Sequence, residues 1–313
     1  MAMADDIPFD RNFDAVPGKA ERVAPKVRRV LANNPSPFTF KGTNTYIIGE
    51  GAVTILDPGP DDPVHIDAVL DAVRGETVEH ILVTHTHRDH SPAAREVSRR
   101  TGAKVLAEGP HRLARPLHAG DANRMEAGSD NEFKPDRQLV DAEVIEGRGY
   151  ALEAIATPGH TANHLAFGLK GSNLLFSGDH VMAWATSVVA PPDGSMSEYM
   201  ASLRKLRARP ERLYLPGHGG PVHDAPAFVE RYIEHRAARE TAILRVLSRG
   251  ETDIPGLVRA IYIGLDPRLS GAAGLSVLAH LEDLVARDAV ETEGPPSVAG
   301  RYRLSATPGG ARR

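Results

Sequence analysis

Directly after an apolar run, Ile81-Leu82-Val83, the chain reads His85-Thr86-His87-Arg88-Asp89-His90, a turn rich in imidazole with one carboxylate. Imidazole nitrogens bind a zinc-like ion at about 2.0–2.1 Å, and carboxylate oxygens at about 2.0–2.2 Å. A single ion cannot comfortably take every one of these side chains from one tight turn, whereas two ions about 3.5–4 Å apart can share them. Further ligand-type side chains follow strand-like runs: His160 in Thr157-Pro158-Gly159-His160-Thr161, Asp179 after Leu175-Phe176-Ser177-Gly178, and His218 after Leu213-Tyr214-Leu215-Pro216-Gly217. Each alone reads as well as a surface side chain. Taken with the first cluster, they point to a metal-ligating centre at one edge of a sheet. The sequence has 14 histidines and no cysteine among 313 residues. Disulfide scaffolds, iron–sulfur clusters and thiol nucleophiles are therefore excluded, and any transition metal must be held by imidazole and carboxylate.

The elements that must position these residues follow from periodicity. Thr45–Ile48 and Ala52–Leu56 form a hairpin pattern across Gly49-Glu50-Gly51. Asp62-Pro63 opens a helix with Ile66, Val69, Leu70 and Val73 on one face. Ser91-Pro92 reads as the cap of a second helix that stops at Gly102, and Val105–Ala107 as the next strand. Residues 111–140 are polar with scattered Gly and Pro, and read as an excursion near the site. Strand patterns resume at Leu152–Ala156, with a hairpin at Leu165–Leu169 and Asn173–Ser177. Ser197 starts a helix carrying Tyr199, Leu203 and Leu206, and Arg212–Leu215 is a closing strand. Strands alternating with helices and hairpins indicate an α+β class with mixed sheets. Beyond a composition shift near residue 236 come three helices and a hairpin, Ala289–Glu293 with Arg301–Leu304, which is a winged-helix pattern. The expected division is 23–235 for the catalytic domain and 236–305 for the winged-helix domain, with flexible ends at 1–22 and 306–313.

The charge balance is 37 basic against 41 acidic residues, a net of −4, which carries no footprint of a dedicated nucleic-acid binder. No run approaches the roughly 18–20 consecutive apolar residues that span a bilayer, so no membrane partner is expected. The N-terminal residues lack the basic start and apolar run of a secretory signal, and the expected compartment is the cytoplasm.

The motifs HTHRDH, TPGH, SGD and PGHG, in this order, resemble the metallo-β-lactamase superfamily of dinuclear metallo-hydrolases. Within it the chain is similar to the lactamase-beta-2-like branch. That similarity rests on Lys41–Tyr46, Asp57-Pro58-Gly59, the Ser197–Leu206 helix, Tyr232-Ile233 with His235-Arg236 and Arg239-Glu240, and the winged-helix tail. The resemblance implies an αββα sandwich of two mixed sheets flanked by helices. It implies one metal held by His85, His87 and His160, a second by Asp89, His90 and His218, and Asp179 between them. The ions are expected to be two Zn2+, with Mn2+ or Fe as alternatives. A water shared by two such ions loses its proton near neutral pH and supplies the attacking hydroxide; Asp89, with His90, would orient it as the catalytic pair. A ligating histidine usually donates its other N–H to an acceptor nearby, and Asp57, Thr84, Thr161 and His164 are the candidate partners. His180 reads equally as a substrate-facing or a surface residue, and no pattern brings His65, His80, His111, His118, His223, His235 or His280 to the site.

The same centre serves many substrates, so the motif leaves the substrate open. The branch resemblance implies single-stranded RNA as one candidate, with thioester, lactone or other acyl hydrolysis, as in glyoxalase II-like enzymes, as the alternative; a true β-lactamase is disfavoured. Glu282, Asp283 and Asp288 against Arg287 give the winged-helix unit the wrong sign for phosphate. Double-stranded DNA is therefore not expected as a partner, and the tail is expected to shape the cleft or a homodimer interface. A winged-helix regulator with a vestigial hydrolase domain is the reading from another class.

Overall fold

The computed structural model describes residues 7–118 and 128–306. A first sheet holds β1 (Ala20–Ala24), β2 (Val27–Leu31), β3 (Asn44–Glu50), β4 (Ala52–Leu56), β5 (Thr77–Leu82), β6 (Lys104–Ala107) and β7 (Arg137–Gln138), paired in sequence order. Its β4–β7 half is parallel and the remainder antiparallel. On one face lie α1 (Pro63–Ala72) and α2 (Ala93–Thr101). The second sheet runs in the order β13-β12-β11-β10-β9-β8, with β8 (Val144–Gly147), β9 (Tyr150–Ala156), β10 (Leu165–Leu169), β11 (Leu174–Gly178), β12 (Leu213–Pro216) and β13 (Val222–His223). Its outer face carries α3 (Met196–Arg207) and α4 (Ala225–Leu247).

Side-chain alternation along the strands divides the core. Ile47 and Ile55 pack outward against α1 and α2. Tyr46, Ile48 and Leu56 face inward onto Leu165, Phe167 and Phe176 of the other sheet. Each of these large side chains removed from water contributes about 1.5–3 kcal/mol, so both faces of β3 and β4 are pinned. The result is the αββα sandwich.

Two caps depart from the expected ones. Pro92, not Ser91, occupies the N-cap of α2, without a side-chain bond. The Ser91 hydroxyl donates instead to Asp130 Oδ2 at 2.8 Å, tying the motif turn to the segment beyond residue 128. Helix α3 is capped by Ser195 rather than started at Ser197. The strands β1, β2, β7, β8 and β13 carry too little apolar alternation to be read from sequence.

Of the expected flexible end 1–22, residues 1–6 lie outside the described residues, and several residues of 7–22 make packing contacts. Ile7 and Phe13 are buried, Phe9 meets Phe228 and Tyr232 edge-on, and Gly18 N donates to Leu31 O. Of the other expected flexible end, residues 307–313 lie outside the described residues, as do 119–127 of the excursion.

Beyond the sandwich, β14 (Thr252–Asp253), α5 (Ile254–Ile261), α6 (Ser270–Ala286), β15 (Val290–Thr292) and β16 (Arg301–Leu304) form a winged-helix unit whose small sheet has the order β14-β16-β15. Its core, with Leu257, Leu281, Leu284 and Tyr302, also takes in Ile243 and Leu247 from α4. Helix α4 thus runs unbroken through the composition shift at residue 236. Helix α6 with its lead-in turn, Pro267–Ala286, is long and apolar enough to cross a membrane by length and composition. It is a core helix here: Leu278, Leu281 and Leu284 pack in the winged-helix core, and Ala279 against the sandwich.

Candidate active site

Strand ends deliver the site. Strand β5 leads into the turn 85–90, the loop after β9 carries His160, and the ends of β11 and β12 carry Asp179 and His218. Backbone bonds lock these turns together across the two sheets: Leu165 N donates to Thr84 O, Gly217 N to Gly178 O, and Asn44 N to Gly217 O. Two glycines are required by close approach. A Cβ on Gly159, whose φ is 137°, would stand 2.3 Å from Tyr199 Cα, so only glycine lets α3 pack on the His160 turn. A Cβ on Gly217 would lie 2.4 Å from Asp179 Oδ1 and 2.7 Å from His90 Cε1.

The structure brings His85, His87, His160, Asp89, His90, Asp179 and His218 together. His87 Nδ1 stands 3.0 Å from His85 Nε2 and 3.1 Å from His160 Nε2. His218 Nε2 lies 3.1 Å from both Asp89 Oδ2 and Asp179 Oδ2, and 3.4 Å from His90 Nε2. Asp179 also reaches His90 through Oδ1 at 3.5 Å and His160 through Oδ2 at 3.8 Å, so it stands between the two groups.

The electrostatics of the groups differ. Burial, reinforced by neighbouring imidazoles, holds His85 well below the usual histidine range, takes His87 down to about 3, and lowers His160. His160 Nδ1 donates to Val188 O and His85 Nδ1 to Thr84 Oγ1, which leaves Nε2 of each of these two rings as a bare lone pair. Burial also opposes charge on His90 and His218, but here the carboxylates overcome it. Asp89, Asp179 and Asp57 hold His90 well above its ordinary value, and Asp179 and Asp89 push His218 up to about 9. Burial likewise opposes ionisation of Asp89 and Asp179, and both are nonetheless held well below the carboxylate range by His90 and His218.

These residues fit a metal site. Ligands about 2.0–2.1 Å from a tetrahedral ion stand roughly 3.3 Å from one another, close to the spacings of both groups. Asp179 Oδ1 is buried without a hydrogen-bond partner, which a cation would supply.

Outer contacts fix the rings. Thr84 donates N–H and Oγ1–H to Asp57 at 2.7 and 2.8 Å, and Asp57 Oδ2 meets His90 Nδ1 at 2.9 Å. Thr84 Oγ1 also lies 3.0 Å from His85 Nδ1. His164 touches the ligand shell differently, accepting the backbone N–H of Asp179 at Nε2. Thr161 does not reach a ligand ring: its hydroxyl donates to Asn163 Oδ1 within the same turn. His180 is neither substrate-facing nor superficial; it is fully buried on the ring of Tyr199. Contacts not among the expected partners complete the shell, Gly42 O on His218 Nδ1 and Thr43 Oγ1 on Asp89 Oδ2 from the Lys41–Tyr46 run, and Val188 O on His160 Nδ1.

The site opens into a cleft of about 700 Å3. Phe9, Phe38 and Trp184 line one side, with Trp184 stacked on Phe40 at 4.9 Å. The other wall comes from α4 and the winged-helix unit, through Arg236, Arg239, Tyr262, Leu265, Leu269 and Leu275. The tail therefore shapes the cleft, and His235, which no sequence pattern brings to the site, lies in its wall.

Comparison with known proteins agrees with this geometry. Residues 38–218 match the metallo-beta-lactamase superfamily, and residues 254–296 the beta-lactamase associated winged helix domain. A beta-lactamase-like protein 2 homolog of Caenorhabditis elegans is 32% identical over 235 residues, 74% of this chain and 74% of that protein. An atrochrysone carboxyl ACP thioesterase of Aspergillus terreus is 31% identical over 250 residues, 78% of this chain and 71% of that one. Among solved structures, a metallo-beta-lactamase family protein from Thermus thermophilus superposes with a TM-score of 0.73 at 25% identity, covering 90% of this chain and all of that one. With its ligand-type residues gathered at the strand ends and its tail matched separately, the chain belongs to the metallo-β-lactamase superfamily of hydrolases and carries that superfamily's associated winged-helix domain.

Proposed function

We propose that the protein hydrolyses an acyl substrate of thioester type, bound with its apolar acyl part in the cleft. His85, His87 and His160 would hold one Zn2+, Asp89, His90 and His218 a second, and Asp179 would contact both. The observation that carries the substrate class is the lining of the cleft. Phe9, Phe38, Trp184, Tyr262, Leu265 and Leu269 offer an aromatic and aliphatic surface, which gains free energy by covering an apolar group and none from a phosphodiester backbone. The thioesterase activity named for the Aspergillus terreus relative is in the same class.

When bound, the two cations would lower the pKa of a shared water and polarise the scissile carbonyl. The protein's own groups do the rest. Asp89, anchored at Oδ2 by Thr43, His90 and His218, accepts a hydrogen bond from the attacking water and orients it. Oxygen bonds to the acyl carbon as the carbon–sulfur bond breaks; one water proton ends on sulfur and the other leaves as the product acid ionises. Asp57 and Thr84 keep the His90 and His85 rings from rotating while charge develops. No side-chain nucleophile and no covalent acyl-enzyme are required.

The test couples metal analysis to a substrate panel of aryl and alkyl thioesters, a lactone, a β-lactam and single-stranded RNA. The expected result is about two metal ions per chain and thioester hydrolysis abolished by chelation. Cleavage of the RNA with the acyl substrates inert would overturn the acyl reading and select a nuclease.

A further inference from the structure

Arg236 lines the cleft and yet is only 3% exposed. A buried guanidinium is costly unless its charge is balanced. Here Nη2 donates to Ser187 O, the guanidinium carbon lies 5.2 Å from the Tyr199 ring centre, and Nε has no hydrogen-bond partner. Among the described residues no carboxylate pairs with it. The acids among the described lining residues are Asp89 and Asp179, both in the metal group, whereas Arg11, Arg236 and Arg239 are the cations. Away from the metal group, Arg236 is a buried cation set into aromatic and aliphatic surface.

We propose that Arg236 anchors a carboxylate carried by the apolar part of the substrate, at the α4–α6 wall of the cleft. This rests on the acyl-hydrolase reading and adds that the acyl group is itself an acid. A guanidinium edge matches a planar carboxylate through parallel N–H donors. A phosphate dianion would bring a second charge and more acceptors than this apolar wall can satisfy. Ser187 also links the anchor to the centre, because its hydroxyl donates to the carbonyls of Asp179 and His180 while its own carbonyl accepts from Arg236.

The probes are 2-naphthoate, the isosteric 2-naphthamide and inorganic phosphate, titrated by calorimetry into the metal-loaded full chain and into metal-stripped protein. The expected result is binding of the carboxylate at least tenfold tighter than the amide in both forms, with the preference falling to about one in Arg236→Gln. Arg236→Lys, which keeps the charge and loses the fork, should retain part of the preference, a three- to tenfold loss. It decides the question if the glutamine variant does not fold. A carboxylate preference that survives Arg236→Gln, or is unchanged in Arg236→Lys, would place the anion on the metal group and overturn the proposal. Equal affinity for acid and amide in the wild type would also overturn it, as would phosphate binding more tightly than naphthoate. A purely structural Arg236 would change melting temperature without moving the acid-to-amide ratio. Thioesters that are inert beside Arg236-dependent naphthoate binding would sink the acyl-hydrolase reading and leave the anchor standing.

Discussion

The floor of the cleft is laid by turns at the ends of strands from both sheets, and the facing wall by helices α4 and α6 with the loop between α5 and α6. On the floor, negative and positive groups meet within hydrogen-bond distance: Asp57, Asp89 and Asp179 are each matched to an imidazole. On the wall, Arg236 has no acid opposite it among the described residues, and within α6, away from the cleft lining, His280 is buried with neither ring nitrogen partnered. The floor resembles a site organised to take up cations in exchange for protons. The wall resembles a surface organised to cover apolar matter around a buried guanidinium.

Substitution on the floor should have the largest effect. Asp179→Ala removes the carboxylate that stands between the two groups, and His87→Ala removes the nitrogen nearest both His85 and His160. Either should lower hydrolysis at least a thousandfold and reduce metal content together, read by elemental analysis beside kinetics. Full occupancy with full activity in either variant would break the assignment of the floor. One shell out, Asp57→Ala leaves the His90 ring and two Thr84 donors without their acceptor. Outer-shell losses of this kind cost about 10–100-fold in metal affinity or activity. A smaller loss than in Asp179→Ala, with rescue by added zinc, would distinguish orientation from ligation.

The wall should give the smallest change, and in stability rather than turnover. Burial, helped by Arg236, His235 and Arg239, takes the His280 pKa down to about 3. The folded form therefore keeps His280 neutral, while the unfolded chain takes up a proton near pH 6.5. Stability is complete above that pH and declines as pH falls from 6.5 toward 3. Between pH 7.5 and pH 5 the decline from this residue is on the order of 2 kcal/mol. His280→Leu should flatten the slope, measured by urea unfolding at the two pH values. An unchanged slope would mean that His280 finds a proton acceptor in solution.

The same contrast explains what could be read without coordinates. Floor residues sit in short motifs, because a strand that ends in a tight turn must place its ligands within a few positions: HTHRDH spends six consecutive residues on one turn. The hairpin of β3 and β4, the capped helix at Asp62 and the stop at Gly102 were likewise local, each carried by a glycine, a proline or a cap. Thr161 shows the limit. Its neighbour relations in sequence fit a ligand partner, but the turn directs its hydroxyl to Asn163 two residues on. Residues 7–22 show another: nothing in their composition announces that Phe9 packs on Phe228 and Tyr232, far along the chain, or that Gly18 pairs with Leu31 of β2.

Residue types and their spacing alone determined that any metal here must be held by imidazole and carboxylate, without thiol, and on which turns the candidate ligands stand, since ligand geometry restricts donors to a few arrangements that short motifs can encode. Only the tertiary structure decided that Arg236 and the leucines of the α5–α6 loop face those turns across an apolar cleft. Helical residues such as these carry the same apolar and basic types whether they meet solvent, core or a ligand. Which of the three they meet is set by packing between distant segments, and no local pattern records it.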